Sequence, residues 1–208
     1  MKIPYPFRCE NCGSTDPVEI NLARTSPEWV CESCGHKNAG IFHPGFTIGW
    51  KILIRSDYEL RRRKDHSMSI VLSAMAFDCD LSRLFLKWSE VGELQSGKAP
   101  DMEELERKLR GLLPMRRKIE TVGRLIDSRG VDDFVQSSED LQNSMKKLYP
   151  AIGVGPLAED LERSLFWPRN RILHLGEAEF VESEASLCYR LSEFGLNLFE
   201  TLDRARIA

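Results

Sequence analysis

The stretch Ile70 to Val91, IVLSAMAFDCDLSRLFLKWSEV, decides the fold class. Ile70, Ala74, Phe77, Leu81, Leu84, Trp88 and Val91 recur at alternating steps of four and three, which lays a single apolar stripe along a long helix. Gly97 and Pro100 punctuate its end.

Working outward, a second stripe runs through Met102, Leu105, Leu109, Leu112, Met115, Ile119, Val122 and Ile126, with Pro114 inside it as a kink or break. Gly130 closes that segment, and a third helix is expected over about 131 to 148. Pro150, Gly153, Gly155 and Pro156 form a turn-rich loop before a short helix from Leu157 to Phe166. At the end of the chain Leu187, Leu191, Phe194, Leu198 and Leu202 predict a long helix that closes a bundle. The fold class is therefore mainly α.

Upstream of the helices the pattern changes. Cys9-x2-Cys12 and Cys31-x2-Cys34, separated by eighteen residues, have the spacing of two knuckles that close a tetrahedral thiolate site. Each pair precedes a glycine, Gly13 or Gly35, which tolerates the positive φ needed to turn backbone amides toward sulfur. Val18 to Leu22 alternates apolar with polar, and Glu28 to Val30 leads into the second pair, so short strands can present the cysteines to one ion. Four sulfurs leave no open coordination position, which makes the expected zinc ion structural, and its binding energy stabilises a segment with too little core of its own. His36 and His43 read as ordinary loop residues, and Cys79 and Cys188 as small apolar core positions. The expected organisation is a small N-terminal β zinc ribbon over 1–40, a connector over 41–55 marked by His43-Pro44-Gly45 and Gly49, and a helical bundle over 56–208.

The totals restrict function. With 29 Lys and Arg against 32 Asp and Glu, no global field draws nucleic acid or anionic membranes, so any such contact is local. Arg61 to Lys64, Arg116 to Lys118 and Lys146-Lys147 are basic clusters in helical regions, where a solvated face is the first explanation and RNA contact the second. No run approaches the roughly 20 apolar residues that cross a bilayer, and the N-terminal residues lack a secretory pattern, so a cytoplasmic protein is expected.

One segment carries candidate chemistry: Phe166-Trp167-Pro168-Arg169-Asn170-Arg171-Ile172-Leu173-His174. Pro168 suits a first helical position. At about 100° per residue, Asn170 and His174 project from nearly one side, and Arg169, about 140° from His174, reaches around on its long side chain. A guanidinium, an imidazole and a helix start with unpaired amides are sufficient parts for RNA cleavage by the neighbouring 2'-hydroxyl. Arg171, three residues before His174, is an alternative partner. A purely structural use is also open, with Arg169 paired to an acid and His174 filling a helix interface.

Arg169-Asn170-x3-His174, between amphipathic helices and a long closing helix, resembles the motif of the HEPN family of helical ribonucleases and nucleotide-binding proteins over roughly 56 to 204. The resemblance implies a homodimer whose two motifs form one composite, metal-independent endoribonuclease site acting on RNA in defence, toxin or RNA-processing systems. It assigns His174 as general acid or base, Arg169 to the scissile phosphate and Asn170 to orientation, with products ending in a 2',3'-cyclic phosphate or its hydrolysis product. The zinc ribbon would recruit RNA or a protein partner. The rival expectations are a non-catalytic nucleic-acid- or protein-binding adaptor and a dimeric regulator of a neighbouring enzyme.

Overall fold

The computed structural model describes residues 2–6, 11–12, 17–21, 29–31, 33–38, 47–148 and 155–207. Its helices are α1 (Ile48–Tyr58), α2 (His66–Gln95), α3 (Met102–Arg110), α4 (Met115–Ile126), α5 (Val131–Gln136), α6 (Glu139–Lys146), α7 (Leu157–Leu161), α8 (Trp167–Leu175) and α9 (Glu182–Ile207). Two π-helical turns, Glu59–Arg63 and Glu162–Phe166, follow α1 and α7. Near the N-terminus, β1 (Lys2–Pro6) pairs antiparallel with β2 (Pro17–Asn21), from Lys2↔Asn21 to Pro6↔Pro17, and β3 (Trp29–Val30) pairs antiparallel with β4 (Lys37–Asn38). Among the described residues no helix is long and apolar enough to cross a membrane.

The centre of the bundle is α2. Asp65 starts it by accepting a 2.9 Å hydrogen bond from the Met68 amide, which satisfies one of the orphan donors of a helix start. Its stripe is buried as the spacing requires, with Ile70, Phe77, Leu81 and Leu84 fully enclosed. Leu191, Phe194, Leu198 and Leu202 of α9 are buried in the same core, where the Phe77 ring lies 5.8 Å from Phe199 and 6.2 Å from Phe166.

Residues 48–55 of the expected connector are helical, forming most of α1, which packs on α2 and α9. A methyl group at Gly49 would lie 2.7 Å from the Ala76 carbonyl oxygen, so glycine here permits a close helix crossing. Four fully buried serines pin the same three helices together. Ser56 Oγ donates to the Ser69 carbonyl at 2.8 Å and meets Ser73 Oγ at 2.7 Å, and Ser192 Oγ donates to the Ser73 carbonyl at 2.8 Å. Each buried hydroxyl thus has a partner, as burial demands.

Pro114 breaks the second stripe outright, since α3 ends at Arg110 and α4 begins at Met115. The expected third helix is two short ones, because Ser138 interrupts the run and caps α6 by accepting from the Leu141 amide. Of the expected turn-rich loop, Gly155 and Pro156 are described, and 149–154 lie outside the described residues. The basic clusters are engaged as well as exposed. Arg61 pairs with Asp57 at 2.5 Å, and Lys118 is buried against Asp78 and Ser82.

Candidate functional site

Two groups of residues offer chemistry. The first is the cysteine cluster. The Sγ atoms of Cys12, Cys31 and Cys34 lie within 4.8 Å of one another, and Cys9 lies outside the described residues. Cys31 stands at the end of β3, in a loop shaped by two backbone bonds: its amide donates to the His36 carbonyl at 2.9 Å, and the Gly35 amide donates to the Cys31 carbonyl at 2.8 Å. Gly35 has φ +68°, the left-handed conformation expected of the residue after a knuckle. The loops that carry the two Cys pairs thus join β1 to β2 and β3 to β4.

Cys12 Sγ and Cys31 Sγ are 3.6 Å apart. A disulfide is about 2.05 Å long, whereas two thiolates on a tetrahedral ion with bonds of about 2.3 Å stand about 3.8 Å apart. The separation fits shared coordination, so these three cysteines can hold a metal ion. Burial pushes the Cys31 thiol up, and the amides of Cys34 and Ser33 pull in the other direction. Asn11 Nδ2 donates to Cys34 Sγ at 3.7 Å, a contact outside the ligand set that sequence spacing does not reveal. His36 is exposed, and His43 lies outside the described residues.

The second group is on α8. This helix does not begin freely at Pro168. The run is helical from Leu157 to Leu175, and the Trp167 amide already donates to the Glu162 carbonyl within the π-helical turn. A π turn takes up the proline that an unbroken α-helix would reject. The open amides expected at a helix start are therefore not supplied here.

The side chains nevertheless reach water, for no residue of α8 is buried. Asn170 and His174 are exposed, and Arg169 is partly covered beside Ile172. Arg169 Nη1 donates to Asn170 Oδ1 at 2.8 Å. Arg171 is occupied differently: it forms a 2.5 Å ion pair with Glu177 and lies 5.3 Å over the Phe180 ring, and its hydrogen bond to Glu177 raises its pKa. Gly176, at φ +69°, ends the helix and turns the chain back toward these partners.

Two clefts among the described residues lie elsewhere. One of about 420 Å³ opens between α6 and α9 beside Lys147, Arg190 and Glu193, and one of about 640 Å³ beside Asp132, Lys146 and Gly155. Neither of these two is lined by Arg169, Asn170 or His174. Cys188 and Cys79 do not join either group. Cys188 is buried and donates to the Ser164 carbonyl at 3.4 Å, and burial pushes its thiol up to about 12. Cys79 is half-buried, and its thiol is likewise raised, first by burial and then by Asp78.

Comparison with known proteins gives no match: no family model, no curated protein and no solved structure is similar to this chain.

Proposed function

We propose that the chain is a metal-independent endoribonuclease of the HEPN type, with a structural zinc ribbon at its N-terminus. The observation that carries this reading is that Asn170 and His174 are exposed, with Arg169 only partly covered beside them, on a helix with no buried residue. A guanidinium has five N–H donors. The contact with Asn170 uses one of them and steadies the side chain, leaving the others for a phosphate. His174, in water, is placed to move a proton to or from the ribose hydroxyl or the leaving oxygen. Arg171, held by Glu177, is the poorer candidate of the two arginines.

An open surface gives little exclusion of water, and a second copy supplies the missing wall in this reading. α8 runs antiparallel along α2 between the Phe166–Phe77 contact and the bond from Ser67 Oγ to the Ala178 carbonyl. These two helices leave Met68, Met75, Leu173 and Leu175 exposed, apolar surface suited to a homodimer. In the ribbon, Cys9, Cys12, Cys31 and Cys34 hold zinc, which fixes the loops and supplies no chemistry to the cut.

The test is incubation of the zinc-loaded protein with single-stranded RNA in magnesium-free buffer, with products identified by mass spectrometry. Termini bearing 2',3'-cyclic phosphate support the reading. RNA that stays intact at every pH and protein concentration sinks the nuclease and leaves a non-catalytic binding role, which the same exposed apolar surface favours as second reading.

A further inference from the structure

We infer that Trp167 is a stacking platform for an unpaired base next to the phosphate gripped by the motif. The inference rests on the RNA reading above and extends it to a residue outside the Arg169, Asn170 and His174 set.

Trp167 is 58% exposed, an unusual position for the largest side chain in a chain with its own well-formed core. The other described tryptophans with placed side chains have work within the fold. The Trp88 indole donates to Asp203 at 2.7 Å and is covered by Arg206, and the Trp50 indole donates to Glu200 at 3.3 Å.

Helix geometry puts Trp167 with the candidate chemistry. At about 100° per residue, Asn170 and His174 lie about 60° and 20° from Trp167 around the axis, and at about 1.5 Å per residue they stand about 4.5 and 10.5 Å further along it. Those rises span one to two nucleotides of an extended strand. Arg169 starts about 160° away and comes to this side through its bond to Asn170. Charge points the same way. The α8 sequence WPRNRILHL contains no acid, and while Arg171 is paired with Glu177 beyond its end, Arg169 keeps donors for an anion, in a chain with 32 Asp and Glu against 29 Lys and Arg. An exposed indole on the face that carries His174, Asn170 and the Arg169 guanidinium bound to it matches single-stranded nucleic acid, whose phosphate meets the cation while a base stacks on the ring. A duplex keeps its bases inside, so the ring has nothing to stack on there.

The experiment uses the full-length zinc-loaded protein and an adenine oligonucleotide of about twelve residues. The oligonucleotide is 2'-O-methylated, so that the attacking hydroxyl is blocked and binding is read without cleavage. Trp167→Ala is expected to weaken binding roughly 5- to 150-fold, as loss of one base stack does. Trp167→Phe is expected to retain most of the affinity, and an otherwise identical abasic strand to bind wild type and Trp167→Ala alike. Light scattering on both variants reports assembly. Equal affinity of wild type and Trp167→Ala for the adenine strand overturns the inference, even if wild type cuts RNA. A change of oligomeric state in Trp167→Ala also overturns it, by making the indole part of a protein interface. Base-dependent binding lost in Trp167→Ala, in a protein that never cuts RNA, upholds the stacking role and sinks only the nuclease.

Discussion

Asn170 Oδ1 accepts a 2.8 Å hydrogen bond from Nη1 of Arg169, and Arg171 is turned away onto Glu177. Two arginines two positions apart are thereby given different partners. The first keeps its remaining donors free of carboxylates among the described residues, and the second ties the end of α8 to the chain that follows.

That division predicts a difference between variants. His174→Ala is expected to lower RNA cleavage by about a hundred- to ten-thousandfold, the usual contribution of an acid-base group. Arg169→Ala is expected to lose most of the rate as well. Arg171→Ala removes a surface ion pair and should stay within about fivefold of wild type. Cleavage rates measured with one labelled RNA decide it, and equal rates in wild type and His174→Ala would falsify the nuclease assignment.

For the cysteine cluster, the purified chain is expected to carry one zinc ion, with metal content falling sharply in Cys12→Ser and Cys34→Ser. Strong chelation should unfold the ribbon and leave the helical circular dichroism nearly unchanged, because the bundle core contains none of these cysteines. Metal content that survives both substitutions would exclude this site.

Two glycines should respond in opposite senses. Gly49→Ala drives a methyl group against the Ala76 carbonyl and is expected to cost about 1–3 kcal/mol. Gly92→Ala, within α2 and facing open space, is expected to add about 0.5–1 kcal/mol. Urea midpoints of the two variants check the sign. A harmless Gly49→Ala would mean that α1 does not pack on α2 as described.

Stability should also fall in alkali through Cys188. Its folded-state pKa, about 12, is above the ordinary 9.0, chiefly because burial disfavours the thiolate. The fold therefore prefers the neutral thiol. This contribution is complete below about pH 9 and is lost as pH rises toward about 12, by up to about 1.4 kcal/mol per pH unit. Between about pH 8 and 10.5, the urea midpoint of Cys188→Ala should fall less than that of wild type. Parallel curves would show that Cys188 does not titrate in this way.

Much of the bundle was legible from apolar spacing, because α2 and α9, 30 and 26 residues long, each carry an apolar stripe through several turns. The errors have local causes. Gly49 looked like loop punctuation, but its missing side chain serves a close helix crossing. Ser137-Ser138 divides 131–148, a break that helix period alone passes over. Strand β3 falls within the expected Glu28 to Val30, but β4 has two residues, too short for any alternation to show. At the candidate site the spacing selected Arg169, Asn170 and His174. The pairing of Arg171 was not visible, because Glu177 is six residues away and is reached only after Gly176 reverses the chain.

The π-helical turn Glu162–Phe166 sets which way the polar groups of α8 look. Leu157, Leu161 and Leu165 point inward at successive steps of four, a rhythm that drifts about 40° per step on an ordinary α-helix. Underwinding between them cancels that drift. Deleting one residue from the turn would re-tighten the screw and rotate everything beyond it by about 100°, carrying Asn170 and His174 off their present face. One surplus residue thus acts as the angular setting of the whole motif.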